Sequence, residues 1–86
     1  MDVSEIKALI ESGLQGVEAK VTGDGSHYEA IVIGDCFEGL SMVAQQKLVY
    51  ATLSDHITSG AIHALSIKTY TPEQYKKASL FQIKAE

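Results

Sequence analysis

Residues 62–73 read Ile-His-Ala-Leu-Ser-Ile-Lys-Thr-Tyr-Thr-Pro-Glu, a strand pattern running straight into a helix start. From Ile62 to Tyr70 apolar and polar residues alternate, the period of a partly buried strand. Thr71 is a good N-cap, Pro72 suits the first helical position, and Gln74 sits where a capping box places Glu or Gln. His63 stands at the head of the strand. Strict alternation puts it on the face of Leu65 and Ile67. There it is either a half-buried residue of the sheet or an exposed ligand or acid–base group at the strand mouth. The pattern alone leaves both readings open.

Upstream, Val3, Ile6, Leu9 and Ile10 recur at helical spacing, with Glu5, Lys7 and Glu11 between them. This predicts a helix over Asp2 to Gly13, capped by Asp2 or Ser4 and closed by Gly13. Val17 to Thr22 alternates as a strand with one wet face. Gly23-Asp24-Gly25-Ser26 is a turn signal, and His27 to Gly34 reads as a second strand, giving an antiparallel hairpin. A bend over residues 34–39 precedes the longest helix, from Leu40 or Ser41 to about Ser59. Its stripe of Met42, Val49, Leu53 and Ile57, flanked by Val43 and Tyr50, predicts burial on more than one side or a patch for a partner. Gln45, Gln46 and Lys47 read as solvated. The last helix is expected from Pro72 to about Ala78, with Tyr75 in the core and residues 79–86 as a flexible tail.

This order, helix-strand-strand-helix-strand-helix, predicts an α+β fold in one domain over residues 1–86. Helices pack on one face of a three-stranded mixed sheet, and the third strand runs parallel to one of the first two. Eighty-six residues bury one modest core. The net charge is -4, and the seven basic residues are all Lys. That balance argues against a nucleic-acid binder, and the lack of Arg removes the usual bidentate reader of phosphate and guanine. No apolar run reaches membrane-spanning length, and the acidic, polar N-terminus is unlike a signal peptide. The single Cys36 excludes an internal disulfide and fits a reducing compartment. A cytoplasmic location is expected.

The inventory of metal ligands is His27, His56, His63 and Cys36. It contains neither Cys-x-x-Cys nor His-x-x-x-His, so a structural zinc site is not expected. A [2Fe-2S] cluster needs four ligands, so this chain can supply one or two and borrow the rest. His27 opens the second strand and His63 the third, so adjacent strand ends would bring two imidazoles to one edge of the sheet. His56, near a helix C-terminus, suits the helix dipole and reads as structural or merely solvated. Asp35 beside Cys36 disfavours a thiolate. Gly23-Asp24-Gly25 precedes a strand rather than a helix, so it is a hairpin turn and not a phosphate loop. No nucleophile–base pair or carboxylate pair emerges from the spacing, and no enzyme activity is expected.

Three segments together resemble the BolA family: residues 21–28 around Gly23-Asp24-Gly25-Ser26-His27, then Phe37-Glu38-Gly39 with Val49-Tyr50-x-x-Leu53, and above all residues 62–73. The loop and the Gln45-Gln46 pair are most similar to the bacterial IbaG/YrbA branch. The resemblance implies a class II KH-like fold and partnership with a monothiol glutaredoxin. In that family the heterodimer shares a [2Fe-2S] cluster, with glutaredoxin giving a Cys and a bound glutathione thiol. It implies a role in cluster assembly, trafficking or iron homeostasis, with iron–sulfur client proteins and no cofactor on the lone chain. His63 matches the family ligand of the last strand. His27 is the candidate second ligand, since Asp24 stands where some members carry a Cys. The alternative implied by the family is a DNA-binding regulator of the stress response, using Lys68, Lys76 and Lys77. The chain has no Gly-x-x-Gly, the loop by which KH folds usually grip nucleic acid.

Overall fold

A computed structural model describes residues 2–24, 27–62 and 64–85. In order, the elements are α1 (Val3–Gly13), β1 (Val17–Gly23), β2 (His27–Gly34), a 3-10 turn (Asp35–Phe37), α2 (Met42–Thr58), β3 (Ala64–Tyr70) and α3 (Pro72–Ala85). The sheet order is β1-β2-β3. β1 and β2 are antiparallel, and β3 runs parallel to β2 after the α2 crossover. The mixed sheet and element order agree with the sequence pattern.

The caps set the element boundaries. Asp2 accepts from the Glu5 N–H at 3.0 Å and Ser41 from the Ala44 N–H at 3.2 Å, so both helices start one residue after a side-chain cap. At α3 the capping box closes from both sides: Gln74 N–H donates to Thr71 Oγ1 at 3.2 Å and Thr71 N–H to Gln74 Oε1 at 3.0 Å. Gly60, with φ 84°, turns the chain out of α2. Gly13 has a different role from the predicted terminator. A Cβ there would lie 2.6 Å from Thr52 Cγ2, so the missing side chain lets α1 approach α2.

The core lies between the sheet and the α1–α2 pair. Ile6 and Ile10 of α1 and Val49 and Leu53 of α2 meet Ala19, Ala30, Val32 and Ile67 of the strands, with Phe37 and Ile62 closing the ends. Each strand contributes alternate residues to this face, as the pleat requires.

Three sequence expectations change. First, Gln45 is buried at 7% exposure rather than solvated. Its Nε2 donates to the carbonyls of Phe37 and Leu40 at 3.0 and 2.9 Å, and its Oε1 accepts from Thr69 Oγ1 at 2.6 Å. One amide thus ties α2 to β3 and to the loop before α2. Gln46 is half-buried and donates to the Ile67 carbonyl at 3.3 Å. Second, α3 lies on the other face of the sheet from α1 and α2. Tyr75 is half-buried rather than in the main core, stacked edge-on against Tyr70 at 5.7 Å. It accepts from Lys20 Nζ at 2.9 Å, and Lys20 points away from its buried neighbour Ala19. This bond raises the Lys20 pKa above its ordinary value. Third, α3 runs on to Ala85 instead of ending near Ala78. Residues 79–85 contain no Gly or Pro to stop it, and Leu80, Gln82, Lys84 and Ala85 are good helix formers.

The outer edge of β1 is closed by charge. Lys7 Nζ donates to the Ala19 carbonyl at 2.8 Å, the Ala19 N–H donates to Glu11 Oε2 at 3.0 Å, and Lys7 pairs with Glu11 at 2.8 Å. The Ala19 bond, then Lys7, lowers the Glu11 pKa, while Ser4 and the Glu5 N–H lower that of Asp2. Depressed carboxylate pKa values stabilise the fold above the unfolded-state values, and this is lost as pH falls through the folded ones. Acid denaturation is therefore expected to set in below about pH 4 with α1 loosening first. Glu11→Gln should flatten the pH dependence of thermal stability there and leave its slope above pH 6 unchanged; an unaltered acid limb would show that this edge contact contributes nothing.

Candidate functional site

The β1–β2 turn is built to present His27. Asp24 N–H donates to the His27 carbonyl at 3.2 Å, and the His27 N–H donates to Asp24 Oδ1 at 2.8 Å. The Asp24 carboxylate also lies 3.9 Å from His27 Nδ1, which places a negative charge beside the ring. Gly23 permits this turn because a Cβ there would lie 2.5 Å from Tyr28 Cδ1. The His27 side chain is 78% exposed. Tyr28, the next residue, packs against the core and anchors the strand behind it. The result is an open imidazole on a fixed backbone.

His63 lies outside the described residues, as do Gly25 and Ser26 of the turn. The strand register is nevertheless informative. His27 is the partner of Ala64, the chain neighbour of His63. The expected meeting of the β2 and β3 starts is therefore met in the backbone. The face assigned to the His63 ring is not among the described features.

The remaining predicted ligands are elsewhere. His56 is half-buried in the last turn of α2, and its carbonyl accepts from the N–H groups of Ala61 and Ile62 at 2.9 and 3.2 Å. These backbone bonds close the end of α2 and involve no imidazole atom. Cys36 is exposed in the 3-10 turn after β2, at the opposite end of the sheet from His27. Among the described residues no three His, Cys, Asp or Glu side chains gather to hold a metal ion.

A groove of about 520 Å³ also opens at that opposite end, between the Asp35–Leu40 loop and the start of α3. Asp35, Glu38 and Glu73 make its wall acidic, and Lys77 lies 3.6 Å from Glu73. Of the three lysines of the DNA-binding alternative, Lys77 thus sits in an acidic setting, and Lys68 neighbours Ile31 across the strands. The residue that sequence reasoning missed is Gln45, which holds the groove wall through the Phe37 and Leu40 carbonyls. Its only signal is position: it falls on the helix face of Val49 and Leu53, one turn before Val49.

Among the described residues, this small α+β domain presents one exposed imidazole, at a sheet end away from its groove. The family model described as BolA-like protein matches residues 1–74, and the chain belongs to that family. The acid stress protein IbaG of Escherichia coli (strain K12) is 40% identical over 77 residues, covering 90% of this chain and 92% of that protein. The structure of a BolA homologue from Coxiella burnetii has a TM-score of 0.79 at 43% identity, covering 88% of this chain and 97% of that one. Yeast Fra2 has a TM-score of 0.70 at 26% identity, covering 95% of this chain and 91% of that one. No helix among the described residues is long and apolar enough to cross a membrane.

Proposed function

We propose that this protein is a non-catalytic BolA-type adaptor that pairs with a monothiol glutaredoxin and shares a [2Fe-2S] cluster with it. His63 is the assigned ligand and His27 the second. The observation that supports this reading is the adjacency of the β2 and β3 starts in the backbone, where His27 is in register with Ala64, the residue after His63 in the chain. Two imidazoles are a half-set for a cluster of four ligands, and a partner with two thiolates completes it. The donor chemistry fits this division. The chain offers exposed nitrogen at one sheet end. The cluster, when bound, supplies an electron-transfer or transferable iron–sulfur unit, and imidazole ligation in place of thiolate raises its potential. The backbone of this chain fixes where the imidazole stands.

The test is reconstitution with a monothiol glutaredoxin, glutathione, iron and sulfide, read by visible circular dichroism and native mass. The wild type should give a heterodimer spectrum distinct from that of the glutaredoxin homodimer. His63→Ala should abolish or change it, and His27→Ala should alter it. A tight heterodimer whose spectrum survives both substitutions would sink the ligand assignment. Absence of any complex would sink the partnership itself.

A further inference from the structure

The two edges of the sheet are treated unequally. Because the Ala19 N–H and C=O both turn outward to Glu11 and Lys7, Ala19 and Val32 form a non-hydrogen-bonded pair. Val32 must then direct its own N–H and C=O toward β3. Strand geometry leaves Leu65, Ile67 and Thr69 with backbone groups facing away from the sheet. The Gln46 amide on the Ile67 carbonyl confirms that direction, and among the described residues it is the one side chain bonded to this edge. An open strand edge is a template for another strand. Beside it on α2, Val43 and Tyr50 flank Gln46 along one helix stripe, 63% and 39% exposed.

We infer that this edge is a homodimer interface: β3 pairs with β3 of a second copy, antiparallel about a two-fold axis at Ile67. Charge selects this occupant. In that register Lys68 of one copy stands opposite Ser66 of the other. The strand neighbour of Ser66 is Glu29, on the same face. Lys68 and Glu29 are exposed, and neither has an ion pair among the described residues. Two strand spacings separate them across the interface, about 10 Å between backbones, and the small serine leaves the lane open for the side chains to meet. The symmetry makes two such pairs. It also lays the Val43–Tyr50 stripes of the two α2 helices side by side on the other face. The Ile67 carbonyl has a second lone pair, so a strand bond does not require Gln46 to leave.

Sedimentation equilibrium over a concentration series tests this. The wild type should dimerise. Lys68→Glu or Glu29→Lys alone should weaken the dimer roughly tenfold, since two attractions become two repulsions. The combined charge reversal should restore it. All these positions are exposed, and circular dichroism checks that each variant is folded. A wild type that stays monomeric at millimolar concentration overturns the second copy as occupant and leaves the edge to a strand of another protein. A dimer indifferent to the reversals, or not restored by the combination, overturns the register.

Discussion

Replacing Gln45 by leucine should cost about 2–4 kcal/mol, although leucine is the better hydrophobe and the helix surface keeps its shape. The substitution removes three hydrogen bonds at once, to the Phe37 and Leu40 carbonyls and from Thr69. The Leu40 carbonyl belongs to an exposed residue, and water can replace the amide there. Phe37 is fully buried and Thr69 is 5% exposed, so in the interior the Phe37 carbonyl keeps only the Leu40 N–H at 3.2 Å and the Thr69 hydroxyl only a 3.8 Å contact to Met42 Sδ. Each such group costs about 1–3 kcal/mol. For a chain of this size the melting temperature should fall by about 10–25 °C. Two comparisons separate this cause from a packing defect. Thr69→Val added to Gln45→Leu should cost less than the sum of the single changes by about 1 kcal/mol, because the hydroxyl left with only the weak sulfur contact is gone. Gln45→Glu should be worst at neutral pH and improve as pH falls, since a buried carboxylate cannot donate to carbonyls and its protonated form can. A Gln45→Leu variant within about 0.5 kcal/mol of wild type would mean the network is energetically idle.

Phe37→Ala should destabilise by about 3–5 kcal/mol, the larger single loss. Phe37 is the largest fully buried side chain among the described residues, and it joins the 3-10 turn to the core. Small domains hold only about 0.05–0.15 kcal/mol per residue in reserve, so this change removes a large share of the total. Phe37→Leu should cost much less, about 1–1.5 kcal/mol, because most of the volume remains filled. Urea unfolding measures both. Equal losses for the two would mean the ring's shape rather than its volume matters there. The pair also tests how the groove is held. Gln45→Leu releases the loop carbonyls, while Phe37→Ala empties the space beneath them.

The order of elements was readable because each carries a local signature. The Thr71-Pro72-Glu73-Gln74 box, the Gly-rich turn and the two periodicities need no tertiary information. Gln45 was misread for the opposite reason. Periodicity marks a buried face by its apolar residues, and a glutamine enters that face only because two carbonyls and a threonine wait there. Those partners come from distant stretches of chain. The side of the sheet taken by α3 was hidden in the same way. Alternation in β1 gives Lys20 a wet face, and nothing local says that Tyr75 will cover part of it. The apolar stripe of α2 divides: Val49 and Leu53 are buried in the core, whereas Met42 and the flanking Val43 and Tyr50 are exposed. At the candidate site the residue types were legible through a family resemblance, and the register of His27 with Ala64 needed the assembled sheet.

That register has a thermodynamic consequence. The β1–β2 hairpin is local, whereas β2 and β3 are joined only after the chain has crossed over through α2. A ligand that bridges His27 and the start of β3 therefore meets both of its contacts only in the completed fold. Such a ligand distinguishes the native state from every partly folded one, and its binding free energy adds to the stability of the whole domain. At a concentration one hundred times its dissociation constant it would add about 2.7 kcal/mol. Loading and unloading at this end would then be felt as a rise and fall in the resistance of the entire chain to unfolding and proteolysis.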